Sequence, residues 1–193
     1  MLALEHIGIS EFMFKPEYIS NTQKFLDKKR EFLLAFIGSE LKESWAVWDL
    51  EDDEWFKDGP ILLIFENSKM VFCTNKLEEL SVTNEDINLT SKPNVSWAEF
   101  DLAWRKNPIK EINNLLGKDL KKMYVTESEF TGSVEESKNN PELVGTRVSE
   151  WYLSGLDMEF SGGCISLFNA LDENGVSDCA DNDKGTRRIE VVS

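Results

Sequence analysis

Carboxylates are the side chains whose spacing in this chain most directly suggests chemistry. The run Glu51-Asp52-Asp53-Glu54-Trp55 joins two strand-like segments. Four adjacent carboxylates repel one another, so this loop must be solvated. Three interpretations stay open: a solvated loop with no further role, a surface that receives the Lys and Arg side chains of a partner, or a site for a divalent cation, to which consecutive carboxylates are poorly suited.

Tryptophan beside these acids favours the partner interpretation. Trp48 and Trp55 flank the run, and Trp is enriched at the energetic centres of protein interfaces. A second acidic turn, Asp172-Glu173, lies in the other half of the chain. The expected partner-binding residues are Trp48, Glu51, Asp52, Asp53, Glu54, Trp55, Asp172 and Glu173.

Residues 172–183 are rich in acidic side chains, as calcium-binding loops are. An EF-hand loop requires Gly at its sixth position. Counting from Asp178 puts Asp183 there, and counting from Asp181 puts Thr186 there, so both registers fail. We expect no metal site and interpret residues 172–175 as a turn in which Asn and Gly supply positive φ angles.

No constellation of residues dictates a reaction. His6 is the single histidine and has no nucleophile signature nearby, so a Ser/His/Asp or Cys/His site is not indicated. The chain lacks the P-loop, GxGxxG, GxSxG and HExxH motifs. With 36 acidic residues, the sequence cannot select a pair for acid–base catalysis. We expect no catalytic residues and no cofactor; the alternative left open is an enzyme or ligand-binding protein with an acidic or metal-dependent site.

Charge is the strongest global signal. The 193 residues carry 21 Lys and Arg against 36 Asp and Glu, a net charge of −15. Residues 38–90 hold thirteen acids and four bases, a net of −9, and residues 127–183 hold thirteen acids and two bases, a net of −11. Such a chain repels phosphate backbones and anionic membranes, which argues against nucleic-acid and membrane binding. It attracts and steers a basic protein partner.

The cysteines and the amino-terminal segment bear on the cellular compartment. Cys73, Cys164 and Cys179 are few and odd in number, so we expect three reduced thiols, the first two buried on strands. Residues 1–15 have no basic n-region and carry charged residues within their apolar stretch, unlike a signal peptide. No apolar run approaches the ~20 residues that span a bilayer. The expectation is a cytoplasmic protein.

Two helix-plus-strand units are expected to position these residues. Residues 16–37 show an apolar stripe with a 3.6-residue period, residues 108–116 show a shorter one, and each stripe ends at a glycine. The sequence IGSELK at residues 37–42 is echoed by LGKDLK at residues 116–121, an offset of 79 residues. An aromatic, strand-like run follows each of the two.

Each unit continues into a hairpin of apolar strands. The hairpin of residues 61–73 recurs at residues 156–168, an offset of 95 residues. Gly162-Gly163 between alternating apolar residues predicts a two-residue turn with positive φ angles. The difference between the two offsets is absorbed by residues 131–141, which have the composition of a polar loop.

The pattern indicates a degenerate duplication of a helix, a strand and a hairpin. The predicted fold is a single α+β domain of residues 1–193, with a mainly antiparallel sheet packed against helices. Its halves span about residues 16–90 and 108–178. If both halves contribute to one sheet, their acidic turns can form one extended surface.

Two stretches carry a resemblance to a known family. They are residues 45–72, with their acidic loop, and residues 151–175, with the sequence FNALDENG. In these stretches the chain resembles the immunity proteins of bacterial polymorphic toxin systems. The resemblance implies a small cytoplasmic protein that binds and neutralises a toxin domain. We therefore expect protein binding rather than catalysis.

Overall fold

Antiparallel strands dominate the molecule. A computed structural model describes residues 16–76, 78–93, 99–133, 147–179 and 185–192. Strands hold 52% and helices 11% of these residues, and the strands form two sheets. The prediction of mainly antiparallel strands is therefore confirmed. The α+β class holds only in part because the helices are few and short, and the halves form two sheets instead of the single sheet expected. His6, Asp181 and Asp183 lie outside the described residues, as do residues 134–141 of the predicted loop.

The first sheet contains β1 (Leu41–Asp49), β2 (Glu54–Trp55), β3 (Ile61–Phe65), β4 (Lys69–Asn75), β5 (Glu79–Thr83) and β6 (Leu102–Lys106). The second contains β7 (Leu120–Ser133), β8 (Arg147–Phe160), β9 (Gly163–Asn169), β10 (Asn174–Asp178) and β11 (Thr186–Glu190). Helix α1 (Thr22–Leu34) precedes β1, and helix α2 (Lys110–Asn113) precedes β7.

The two sheets share one connectivity. In the first, β1, β3, β4 and β5 form a four-stranded meander, and β6 returns to pair with β1. In the second, β7, β8, β9 and β10 form the meander, and β11 returns to pair with β7. All of these pairings are antiparallel.

Their pairing registers also correspond. Leu41 pairs with Phe65 and Leu120 with Phe160, and a bulge follows each pair along the first strand. Trp45 pairs with Leu62, and Tyr124 pairs with Asp157. Tyr124 lies 79 positions after Trp45, and Asp157 lies 95 positions after Leu62. On the other side of the same two strands, Trp45 pairs with Lys106 of β6, and Tyr124 pairs with Glu190 of β11. Along the segments that the two sheets have in common, these registers match a residue of one half with a residue of the other, and "counterpart" has this meaning below.

Reciprocal hydrogen bonds join the two sheets at one point. The Gly38 N–H donates to the Leu120 carbonyl at 2.7 Å, and the counterpart Gly117 N–H donates to the Leu41 carbonyl at 2.8 Å. Both glycines have positive φ, 87° and 74°, a conformation that costs a glycine little. An isolated bridge between Glu40 and Asp119 lies between these bonds. Counterparts therefore contact each other as they would across a two-fold axis.

Both helices are shorter than predicted. Helix α1 begins after Asn21, whose side chain accepts a hydrogen bond from the Lys24 N–H at 2.9 Å. The residues before it are not helical, because Ile19 exchanges backbone hydrogen bonds with Leu80 of β5. Helix α2 is a single turn, and residues 114–117 continue it only as a turn.

The hairpins are confirmed, but their turns differ from the prediction. Gly162 does not have a positive φ. In the turn between β9 and β10 the positive φ angles belong to Leu171 and Asp172, at 61° and 78°, and Asn174 already lies in the strand. Strand β7 extends through residues 131–133, which the composition assigned to a loop.

One hydrophobic core lies between the sheets and includes side chains of both, together with Phe25 and Leu33 of α1. Each sheet therefore has an inner face toward this core and an outer face away from it. The outer face of the first sheet carries a second apolar cluster, in which Leu62 and Val71 are covered by side chains such as Phe56 and Phe100. The outer face of the second sheet carries Thr126, Asp157 and Ser166 among other polar side chains.

The expectation of three reduced thiols is wrong for two of them. Cys164 of β9 and Cys179, directly after β10, form a disulfide. The cause is non-local: Ile165 pairs with Asp178, which sets the two cysteines opposite each other. Cys73 is free and buried, as predicted, and burial raises the pKa of its thiol to about 12.

Candidate functional site

The first acidic run forms the turn between β1 and β2, where Trp48 pairs with Trp55. Asp49, at the end of β1, is only 5% exposed. Its Oδ1 accepts hydrogen bonds from the backbone N–H groups of Glu51 at 2.9 Å and Asp52 at 3.5 Å. A buried aspartate therefore fixes the turn, and the acidic side chains of the turn itself stay exposed.

One flank of this turn is occupied by a cation from the chain itself. Asp53 accepts hydrogen bonds from the Trp48 indole at 2.9 Å and from the Arg105 guanidinium at 3.1 Å. These two donors hold the pKa of Asp53 below its usual range. The guanidinium also lies 4.2 Å from the centroid of the Trp48 ring. Trp48 and Asp53 are therefore already engaged with Arg105.

The other flank borders a depression of about 290 Å³. It is lined by five acidic residues, one basic residue and three aromatic residues: Asp49, Asp52, Glu54, Asp58, Glu173, Lys57, Trp55, Phe56 and Phe100. The single base, Lys57, binds the Glu173 carboxylate at 3.1 Å. We call this the acidic depression. Its excess of carboxylates suits a cationic group.

Asn174 brings the second acidic turn to the acidic depression. It is fully buried, and its Oδ1 accepts from the Thr74 N–H at 2.9 Å. Its Nδ2 donates to the carbonyls of Lys57 and Gly59, each at 2.8 Å. One side chain therefore holds the start of β10 against β4 and the segment before β3, which places Glu173 beside the residues of the first sheet.

Asp58 shows the electrostatic character of the acidic depression. Its pKa is raised, first by burial and then by the negative charges of Glu173 and Asp172. A carboxyl group in this state gains from a nearby cation more than an isolated surface carboxylate does. Within the described residues, no three His, Cys, Asp or Glu side chains are arranged to hold a metal ion.

The structure divides the eight predicted partner-binding residues. Asp52, Glu54, Trp55 and Glu173 meet at the acidic depression. Trp48 and Asp53 lie in the Arg105 network instead, and Glu51 and Asp172 are exposed on the two turns.

Asp49 and Asp58 line the depression but are not among the eight predicted partner-binding residues. Asp58 follows the predicted run closely in the sequence, and this proximity is the only local signal for it. Its role depends on the contacts of Asn174, which join residues more than one hundred positions apart.

Comparison of the chain with protein-family models, with curated proteins and with solved structures finds no match. None of the helices in the described ranges is long and apolar enough to cross a membrane.

Proposed function

We propose that this chain is a protein-binding module that captures a basic partner through the acidic depression, in the manner of an immunity protein that neutralises a toxin domain. The observation that carries the proposal is the meeting of acids from both halves of the chain. Asp52 and Asp58 come from the first half and Glu173 from the second, and Lys57 is the one base among the lining residues.

Electrostatics supports fast association. The net charge of −15 attracts a cationic protein over a distance, and the depression offers a defined point at which a Lys or Arg side chain can arrive. Lys57 already shows the interaction within the chain, through its contact with Glu173. The partner's cation would make the same type of contact.

Trp55 has a mixed role in this proposal. It lines the acidic depression, and it also packs against the main core. Replacing it would therefore change folding as well as binding, so Asp52 and Glu54 are the better probes. Asp53 is a poor probe because Arg105 already neutralises it.

The test is the association kinetics of an Asp52→Lys/Glu54→Lys variant with the protein encoded by the adjacent reading frame, measured by surface plasmon resonance at two salt concentrations. We expect the association rate to fall by about tenfold or more at low salt, with a smaller effect at high salt. The control of equal charge change is Glu66→Lys/Asp86→Lys, two exposed residues at the other end of β3, where Asp86 pairs with Lys69. Equal rates for the wild type and the double variant contradict the proposal.

We further propose that the two halves derive from a duplication. The shared connectivity, the corresponding registers and the reciprocal bonds of Gly38 and Gly117 support it. In an experimental structure, strands β1, β3, β4 and β5 should superpose on β7, β8, β9 and β10; different strand paths would contradict the idea.

A further inference from the structure

A cavity of about 180 Å³ lies on the outer face of the second sheet. Hydroxyl groups dominate its walls, among them those of Thr126, Ser154 and Ser166. A bulge between β7 and β8 follows the pair of Thr126 and Gly155 and leaves Ser154 without a strand partner. The Ser154 hydroxyl instead lies 3.1 Å from that of Thr126. The strand irregularity therefore contributes to the wall.

Asp157 is the distinctive group of the cavity. It lines the cavity, and the residue is only 4% exposed. Its Oδ2 accepts a hydrogen bond from Arg188 Nε. Its Oδ1 is buried and has no hydrogen-bond partner among the described residues. A buried carboxylate oxygen without a donor is costly, and no described residue supplies one, so a donor that enters the cavity would stabilise Asp157.

Arg188 supplies donors beside that acceptor. Its other contacts are long: 3.8 Å to the Glu159 carboxylate and 4.0 Å to Cys164 Sγ. Its guanidinium carbon lies 5.4 Å from the centroid of the Tyr124 ring. The ion pair with Asp157 therefore orients the guanidinium, and the remaining N–H groups of Arg188 can donate to a ligand.

The walls define the chemistry that fits. A carboxylate acceptor, guanidinium donors and several hydroxyls match a ligand rich in hydroxyl groups, because a hydroxyl both donates and accepts. The Phe168 ring adds an apolar surface to the lining. Asp157 and the net charge of −15 disfavour an anion. The volume lies below the range typical of sites for drug-sized ligands, so the ligand is small.

The fold does not require this polarity. The counterparts of Thr126, Asp157 and Ser166 in the first sheet are Val47, Leu62 and Val71, all buried in the second apolar cluster. The same framework is therefore stable with an apolar outer face. Polar groups at these positions need another reason, and ligand binding supplies one.

We propose that this cavity binds a neutral polyhydroxylated ligand the size of a single sugar ring, with Asp157 Oδ1 accepting a hydrogen bond from a ligand hydroxyl. The ligand bridges Asp157 and Arg188 and lies against Phe168. This site is separate from the acidic depression, and the proposal does not depend on the protein-binding function.

The test is saturation-transfer NMR and isothermal titration on the full chain, with D-glucose, D-galactose, D-mannose, N-acetyl-D-glucosamine and myo-inositol as probes. We expect saturation transfer to at least one of them. Asp157→Asn should weaken its binding at least tenfold, because the amide nitrogen cannot accept the ligand's hydrogen bond. Asp86→Asn, which removes an exposed carboxylate that lines neither the cavity nor the acidic depression, is the control and should leave the affinity unchanged.

A second pair of substitutions guards against misfolding. Asp157→Leu combined with Arg188→Met removes both charges together, so neither is left buried alone, and it should abolish binding in a folded protein, as judged by circular dichroism. Ser166→Ala removes one wall hydroxyl and should weaken binding without unfolding the sheet. The proposal is overturned if none of the five probes binds the folded wild type, or if binding survives in Asp157→Asn and in the double variant.

Discussion

Leu62 and Asp157 occupy counterpart places in two sheets of the same connectivity, yet their surroundings have opposite chemistry. Leu62 is 2% exposed and lies beneath side chains from the segments flanking the first sheet. Asp157 is 4% exposed and lies beside Arg188 and a hydroxyl-lined cavity. Burial is therefore nearly equal, and only the partners differ. Pairing register therefore determines the face on which a side chain lies, whereas the neighbouring strands and segments determine which partners it meets there.

The two sheets also differ in the link that joins the start of the hairpin's second strand to a later segment. Cys164 is the counterpart of Lys69, since both stand at the start of the hairpin's second strand. Cys164 forms a disulfide with Cys179. Lys69 forms an ion pair with the fully exposed carboxylate of Asp86. A covalent link therefore holds one sheet at the place where a solvated ion pair, which stabilises weakly, lies in the other.

Leu62→Asp is expected to have the largest effect on this comparison. It places an aspartate at the position of Asp157 but without an Arg188, so a buried charge stays uncompensated. We expect the free energy of unfolding to fall by about 3–5 kcal/mol. Urea denaturation measures it, with Leu62→Met as the control, for which we expect a loss below about 1.5 kcal/mol. A loss for Leu62→Asp no larger than that for Leu62→Met would show that the outer face of the first sheet tolerates charge.

Removal of the disulfide should come next. The bond closes a separation of 15 residues, for which the chain-entropy model gives about 3 kcal/mol. We expect Cys164→Ser/Cys179→Ser to lose about that much stability under oxidising conditions and nothing relative to the reduced wild type. Lys69→Ala, the counterpart change in the first sheet, should cost below about 1 kcal/mol. Intact-mass analysis before and after alkylation reports the bond directly; three alkylated thiols in the unfolded, unreduced protein would refute it.

The smallest effect is expected at Asp58. Its raised pKa means that the native state binds this proton more readily than the unfolded state does, so the ionised carboxylate weakens folding at neutral pH. Asp58→Asn should therefore raise stability at pH 7, by less than about 1 kcal/mol. The gain should vanish as the pH falls and Asp58 becomes protonated in both states. Thermal melts at pH 7 and pH 3 measure the difference; a gain that is equal at both pH values would exclude the electrostatic cause.

The sequence was informative where structure depends on local patterns. Apolar runs on either side of a short turn predicted both hairpins, with clear alternation in the second. The echo of IGSELK in LGKDLK falls where Gly38 and Gly117 form reciprocal hydrogen bonds between the sheets. The acidic turns were identified by their composition. Four of the eight predicted residues meet at one depression because Asn174 holds the second turn against the segment that follows the first turn.

Other features depend on contacts between distant residues, and local patterns could not reveal them. The disulfide needs the pairing of β9 with β10, and the Arg105 contact of Asp53 needs the return of β6 to β1. In the sequence, Asp157 alternates with the apolar residues Leu156 and Met158, a pattern that predicts a solvent-facing strand residue. Its burial follows from Arg188, which comes from β11, and the segment's alternating pattern carries no information about that strand.

The junction at Gly38 and Gly117 is isologous in the sense used for symmetric dimers: one residue contacts its counterpart, and the counterpart returns the same contact. Each half therefore carries both sides of the joint, a donor at its glycine and an acceptor at the leucine of its first strand. Two copies of either half would hold every backbone group that the joint uses. Under the proposed duplication, the chain corresponds to a symmetric dimer whose two subunits are joined in one polypeptide. Such a linkage allows the two halves to differ, as they do at Leu62 and Asp157, while the backbone contact between them is kept.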